Sequence, residues 1–108
     1  MPVVRIEHRV PDFGRWKQAF DSDPANRKGS GVRRYSILRP HDDPQCVMID
    51  LAFDTVEEAE AFLTRMAAIW NGPGKSLVQR PCGRIAELVE VGEILGVHAE
   101  TEIGPQFS

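Results

Sequence analysis

The chain switches between two hydrophobic periods. Residues 3–10, VVRIEHRV, alternate with period two. Val4, Ile6, His8 and Val10 share one face of the predicted strand, and Val3, Arg5, Glu7 and Arg9 share the other. Pro11-Asp12 then reads as a strand exit and a helix start, with Asp12 as N-cap. Phe13, Trp16 and Phe20 follow at helical spacing with Ala19 beside them, which predicts one apolar stripe. Asp23-Pro24 closes that helix, because a residue before proline is pushed out of the helical region.

A polar, Gly-containing connection over 26–31 leads to a second strand over 32–38, VRRYSIL. RPHDDP, residues 39–44, is turn chemistry. A third strand follows over 45–53, so strands two and three form a hairpin. Thr55 and Glu58 have capping-box spacing ahead of a helix over 56–70. Its apolar side carries Val56, Ala59, Phe62, Leu63, Met66, Ile69 and Trp70, and Asn71-Gly72-Pro73-Gly74 stops it. RIAELVEV predicts a fourth strand over 84–91, and a polar tail begins near residue 92. The order β-α-β-β-α-β predicts an α+β ferredoxin-like domain over 1–91, with a tail over 92–108. Its four-stranded antiparallel sheet, in the order 4-1-3-2, carries both helices on one face.

In the third strand, Val47, Ile49, Leu51 and Phe53 belong to the helix-covered face, while Cys46, Met48, Asp50 and Ala52 point away. The faces of strands two and four are not separable by polarity. The open face therefore mixes charges with Val3, Cys46, Met48 and Ala52. Apolar groups rimmed by charge mark an interface. The pattern predicts a homodimer built by packing open sheet faces together.

Composition narrows the partners. The 108 residues include 42% hydrophobic and 27% charged positions, with a formal charge of −3. That balance argues against nucleic acid or an anionic membrane as partner. Arg27, Lys28, Arg33, Arg34 and Arg39 form a basic stretch read as solvated or salt-bridged. Cys46 and Cys82 lack metal or disulfide-framework spacing. MPVVRIEHRV has no apolar signal core, and no apolar run approaches the ~20 residues of a membrane span. A cytoplasmic protein is the expectation. NGPGKS, residues 71–76, contains a GKS but lacks the earlier glycine and the strand–loop–helix context of a phosphate loop.

Several stretches together resemble the dimeric α/β-barrel superfamily, which includes antibiotic-biosynthesis-type monooxygenases and polyketide cyclases. They are HRVPDFGRWKQAF, the turn-linked hairpin, VMIDLAFDTVEEAEAFL and RIAELVEV, spanning residues 3–91. The resemblance implies a ligand cleft among the sheet's open face, the helices and the adjoining loops. It also implies a menu of cofactor-independent oxygenation, cyclisation, haem degradation or small-molecule sensing. Haem-degrading members hold iron through a histidine on the second helix, and residues 56–70 contain none.

The candidate chemistry is correspondingly spare. His8 is the only histidine in a predicted strand and suits a proton-abstracting base, or a structural hydrogen bond near the strand exit. Asp50 suits an acid/base role beside Glu7, or an ion pair with Arg5 that keeps it charged. Arg5 or Arg34 would hold an oxyanion, and Tyr35 and Trp70 would shape the pocket, although aromatic packing explains both. His41 belongs to the turn, and no histidine pair has metal-ligand spacing. The expectation is no metal and no cofactor. Two functions stand out: a cofactor-independent monooxygenase or cyclase acting on a small aromatic or polyketide-like molecule, and a non-catalytic ligand-binding or sensing dimer. A dimer without a pocket is a third.

Overall fold

The computed structural model describes residues 1–95. His98 and most of the tail lie outside the described residues. The elements are β1 (Pro2–Arg9), α1 (Phe13–Asp21), β2 (Arg34–Leu38), β3 (Cys46–Ala52), α2 (Val56–Asn71) and β4 (Gln79–Glu87). The strands form one antiparallel sheet in the order β2-β3-β1-β4, so β1 and β3 are central. This is the expected ferredoxin-like fold. Val4, Ile6, Val10, Val47, Ile49, Leu51 and Phe53 meet Trp16 of α1 and Ala59 and Phe62 of α2 in one core.

Local signals place both helix starts. Asp12 accepts a hydrogen bond from the Arg15 N–H at 3.1 Å, and Thr55 accepts one from Glu58 N–H at 3.1 Å. Only this half of the second cap forms. The Glu58 carboxylate lies instead against Gly31, where a Cβ would sit 2.6 Å from Oε2.

The fourth strand differs from the expected 84–91: it runs from Gln79 to Glu87. Two constraints explain this. Downstream, Glu87 already pairs with Pro2, so β1 has no further residue to offer beyond a last bond from Leu88 N–H to the Met1 carbonyl, at 3.0 Å. Upstream, the unpromising QRPCG is recruited because β1 continues to Arg9. Pairing runs Glu7↔Cys82 and then Arg9↔Gln79, so β4 carries an extra residue opposite His8. Arg80 takes up this bulge with φ 55, and Pro81 is tolerated because β4 is an edge strand. Alternation reads propensity, whereas the register obeys the partner strand.

Gly83 matters for a different reason. It pairs with Ile6 on the helix-covered face, where a Cβ would lie 2.7 Å from Leu63 Cδ2 and 3.6 Å from the Trp70 ring. The missing side chain leaves the space that Leu63 of α2 occupies, with Trp70 in ordinary contact beside it.

Candidate functional site: a cavity between the sheet and the helices

β1 is paired on both sides, so its side chains are committed to opposite faces. His8 faces the helices and is buried. There it borders a cavity of about 240 Å³, walled by Trp16, Phe20, Ile49, Leu51, Phe62, Met66, Trp70, Leu77 and Val78. The imidazole meets Trp16 edge-on at 5.6 Å between centroids and Trp70 at 6.5 Å. Both tryptophans of the chain thus line this space. Pockets for drug-sized ligands span roughly 300–1,000 Å³, so this one suits a compact molecule.

Two polar side chains stand out on this apolar wall. His8 Nδ1 is buried and has no hydrogen-bond partner. Arg27 lines the same cavity from the loop after α1, and its Nη1 is also buried and unpartnered. A buried polar group left unpaired costs about 1–3 kcal/mol, and more for a charged one. Such groups on a cavity wall are where a ligand's own polar atoms gain most.

The Arg27 guanidinium is held from three directions. Its Nε donates to Asp23 Oδ1 at 2.9 Å, the same oxygen that accepts the Arg27 backbone N–H at 3.0 Å. Its Cζ lies 3.9 Å from the centre of the Phe20 ring and 4.8 Å from that of Tyr35. Asp23 itself adopts φ 61, a left-handed conformation that aspartate tolerates better than most residues.

Burial lowers the His8 pKa from 6.5 to about 4, against weaker opposing contributions from the backbone of Arg9 and of His8. The ring is neutral at pH 7 and offers one donor and one acceptor nitrogen. Ligand chemistry beside it starts from a free acceptor.

The six residues singled out from sequence do not converge. His8 and Trp70 share the cavity. Tyr35 faces the same side, packing on Phe20 at 5.4 Å, but lies outside the wall and contributes through Arg27. Arg5 and Asp50 lie on the opposite face, paired Nε to Oδ1 at 2.9 Å. That ion pair is one of the two arrangements the sequence offers Asp50. Arg34 also belongs to the open face, opposite Ala52, with its Nη2 3.7 Å from Met1 Sδ. The open face carries a broad depression of about 720 Å³ lined by Arg5, Glu7, Arg9, Met48, Asp50 and Arg84. Strand alternation sends the side chains of His8 and Asp50 to opposite faces of the sheet, although both residues border this depression.

Sequence reasoning missed Arg27, which sat inside a basic stretch read as solvated or salt-bridged. The stretch is largely paired: Arg33 bonds Asp54 at 2.8 Å, and Arg39 covers the Phe13 ring at 4.3 Å. The one available signal was Asp23 preceding Arg27 by a helical turn's spacing, just after Phe20. Trp16 was recognised as core, and its second role as cavity wall was not legible.

The haem-degrading option fits poorly. α2 carries no histidine, and the cavity's one imidazole comes from β1. Among the described residues, no cluster of three histidine, cysteine or acidic side chains is placed to hold a metal ion. No described helix is long and apolar enough to cross a membrane.

No protein-family model matches the sequence, and no curated protein is similar to it in sequence. Solved structures are similar in fold. A proposed antibiotic biosynthesis monooxygenase from Deinococcus radiodurans superposes with a TM-score of 0.68 at 17% identity, covering 89% of this chain and 100% of that one. A variant of SnoaB, a cofactor-independent oxygenase from Streptomyces nogalater, matches at 0.62 and 10% identity over 83% and 94% of the two chains. A variant of MhuD, with two manganese protoporphyrin IX molecules per active site, matches at 0.60 and 19% identity over 84% and 99%.

Acid stability isolates the buried imidazole. The unfolded chain binds the His8 proton near pH 6.5 and the folded chain only near pH 4. Its contribution is therefore full above about 6.5, is lost as pH falls through that window, and levels off below about 4. Asp43, held low by the Arg9 guanidinium, titrates below this range. Urea unfolding at pH 7 and pH 5 should show a loss of about 2 kcal/mol that is absent from His8→Gln. Equal losses in both chains would contradict this environment for His8. The chain shares its fold with the antibiotic biosynthesis monooxygenase-like ferredoxin-fold proteins.

Proposed function

We propose that the protein is a homodimer that binds a compact, flat, partly aromatic molecule between sheet and helices and oxygenates it without a cofactor. The observation that carries this reading is the unpartnered, neutral His8 on an aromatic cavity wall. SnoaB, which has the same fold, is a cofactor-independent oxygenase.

The chemistry asks little of the protein. The acceptor nitrogen of His8 takes the acidic proton of a CH₂ set between two aryl rings that are conjugated to a carbonyl. The resulting enolate and the imidazolium stabilise each other in a low-dielectric space, which raises the base strength of His8 as the charge forms. Dioxygen adds to the carbanion carbon as a peroxide. The imidazolium returns the proton, and loss of water leaves a carbonyl. The balance is CH₂ + O₂ → C=O + H₂O. Trp16 and Trp70 flank the ring plane and keep bulk water out.

Two features support the dimer. The open face combines charges of both signs with Met48, Leu38 and Val3, a self-complementary surface for a two-fold. The residues after β4 add to it. LVEV, residues 88–91, has strand patterning, yet β1 has run out of partners, and Val89 is 90% exposed. A second copy supplies what β1 does not. A similar fold from an uncultured marine organism is a dimeric ferredoxin-like protein. Both cysteines are free thiols, which suits the cytoplasm expected from the sequence.

Anthrone provides the test of activity, read as oxygen uptake above the spontaneous rate. Wild type and Asp50→Asn should consume oxygen alike, because Asp50 is on the other face, and His8→Ala should lose at least tenfold. Background rates in all three would remove the oxygenase reading and leave ligand binding. Light scattering should give twice the chain mass of 12.1 kDa, and Met48→Asp should give the monomer. A wild-type monomer would contradict the assembly.

A further inference from the structure

We propose that Arg27 makes this cavity selective for ligands with an anionic or strongly polarised oxygen. The ligand class is then an aromatic carboxylate, phenolate or enolate rather than a neutral arene. This deepens the reading above and rests on the same cavity.

The guanidinium is only partly satisfied by its neighbours. Asp23 satisfies Nε, and the Phe20 and Tyr35 rings, themselves in edge contact, pack against the guanidinium. Nη1 is left buried with its N–H groups unspent on a largely apolar wall. A guanidinium donates its hydrogen bonds in its own plane, so rings packed against it leave the edge for a polar partner. Such an edge matches an oxygen, and best a charged one.

Asp23 does not make the site hostile to anions. Its Oδ1 is occupied by the Arg27 backbone and Nε, on the side of the guanidinium away from Nη1. The pair acts as an oriented dipole with its positive end free. His8, neutral at pH 7, adds no competing charge. The cavity therefore presents the Arg27 guanidinium, the Asp23 carboxylate paired to it through Oδ1, and neutral His8, and the unspent Nη1 suits a ligand's anionic oxygen.

Tyr35 is a positioning residue here. It sits outside the wall and acts by holding the guanidinium plane. Its ring, not its hydroxyl, does this.

The test compares 2-naphthoate with its neutral isostere 2-naphthamide by calorimetric titration of the full chain. Wild type should bind the carboxylate about 10- to 100-fold more tightly. Arg27→Gln should abolish that preference while leaving amide affinity within about threefold, which also shows that the variant is folded. Tyr35→Ala should reduce the preference, and Tyr35→Phe should restore it. Equal affinities of wild type for both probes would overturn the role of Arg27 and leave the cavity reading standing. So would an equal loss for both probes in Arg27→Gln. Failure of wild type to bind either probe would overturn the cavity reading and this proposal with it.

Discussion

β1 is hydrogen-bonded along both edges, and that double pairing decides what every side chain near it can do. Pairing with β3 sets Ile6 beside Ile49 and Arg5 beside Asp50, so alternate residues are assigned to opposite compartments. On one side, helices close over His8 and exclude water. On the other, Arg5 and Asp50 face out as an ion pair on a surface suited to a partner. A strand free on one edge could slip or roll, and a one-residue slip would exchange the two compartments.

The same pairing creates the irregularity beside His8. The extra residue in β4 falls between the partners of Glu7 and Arg9, where Arg80 adopts a left-handed conformation. Bulges gather next to functional sites because they re-aim neighbouring groups and interrupt regular pairing. On the helix-covered face, the absent side chain of Gly83 admits Leu63. The unpaired polar atoms of His8 and Arg27 border the helix-side cavity, whereas Arg80 borders the open-face depression and a third buried unpaired atom, Glu58 Oε1, lies beside Gly31. Elsewhere apolar strand faces are covered, both helix starts are capped, and Arg5, Arg9 and Arg33 find carboxylates.

Most of the architecture was legible because period and punctuation carry it. The alternation in VVRIEHRV and VMIDLAF, the caps at Asp12 and Thr55 and the Gly-Pro stop after α2 each act over a few residues. They led to the element order, the central strands and the helix-facing side of His8. The extent of β4 was not legible, because RIAELVEV looks more like a strand than QRPCG, and only the end of β1 decides between them. The faces of β2 were settled in the same way, by the pairing of Tyr35 with Leu51. The candidate site was legible in part. His8 and Trp70 were found as isolated candidates, while Asp50 attracted notice for a charge that its partner Arg5 explains. Arg27 was hidden because its role depends on Phe20 and Tyr35 closing around it, a contact between an α1 residue and an edge strand.

The central claim is that the ligand enters the helix-covered face and leaves the open face alone. Methyl-resolved nuclear magnetic resonance reads this directly, since backbone signals of a strand report both faces but methyl groups report one. Addition of 2-naphthoate should shift the methyl signals of Ile49, Leu51, Met66 and Leu77 and both tryptophan indole signals, leaving Val3, Met48 and Ala52 unchanged. Shifts confined to Val3, Met48 and Ala52 would place the ligand beside Asp50 and contradict the account.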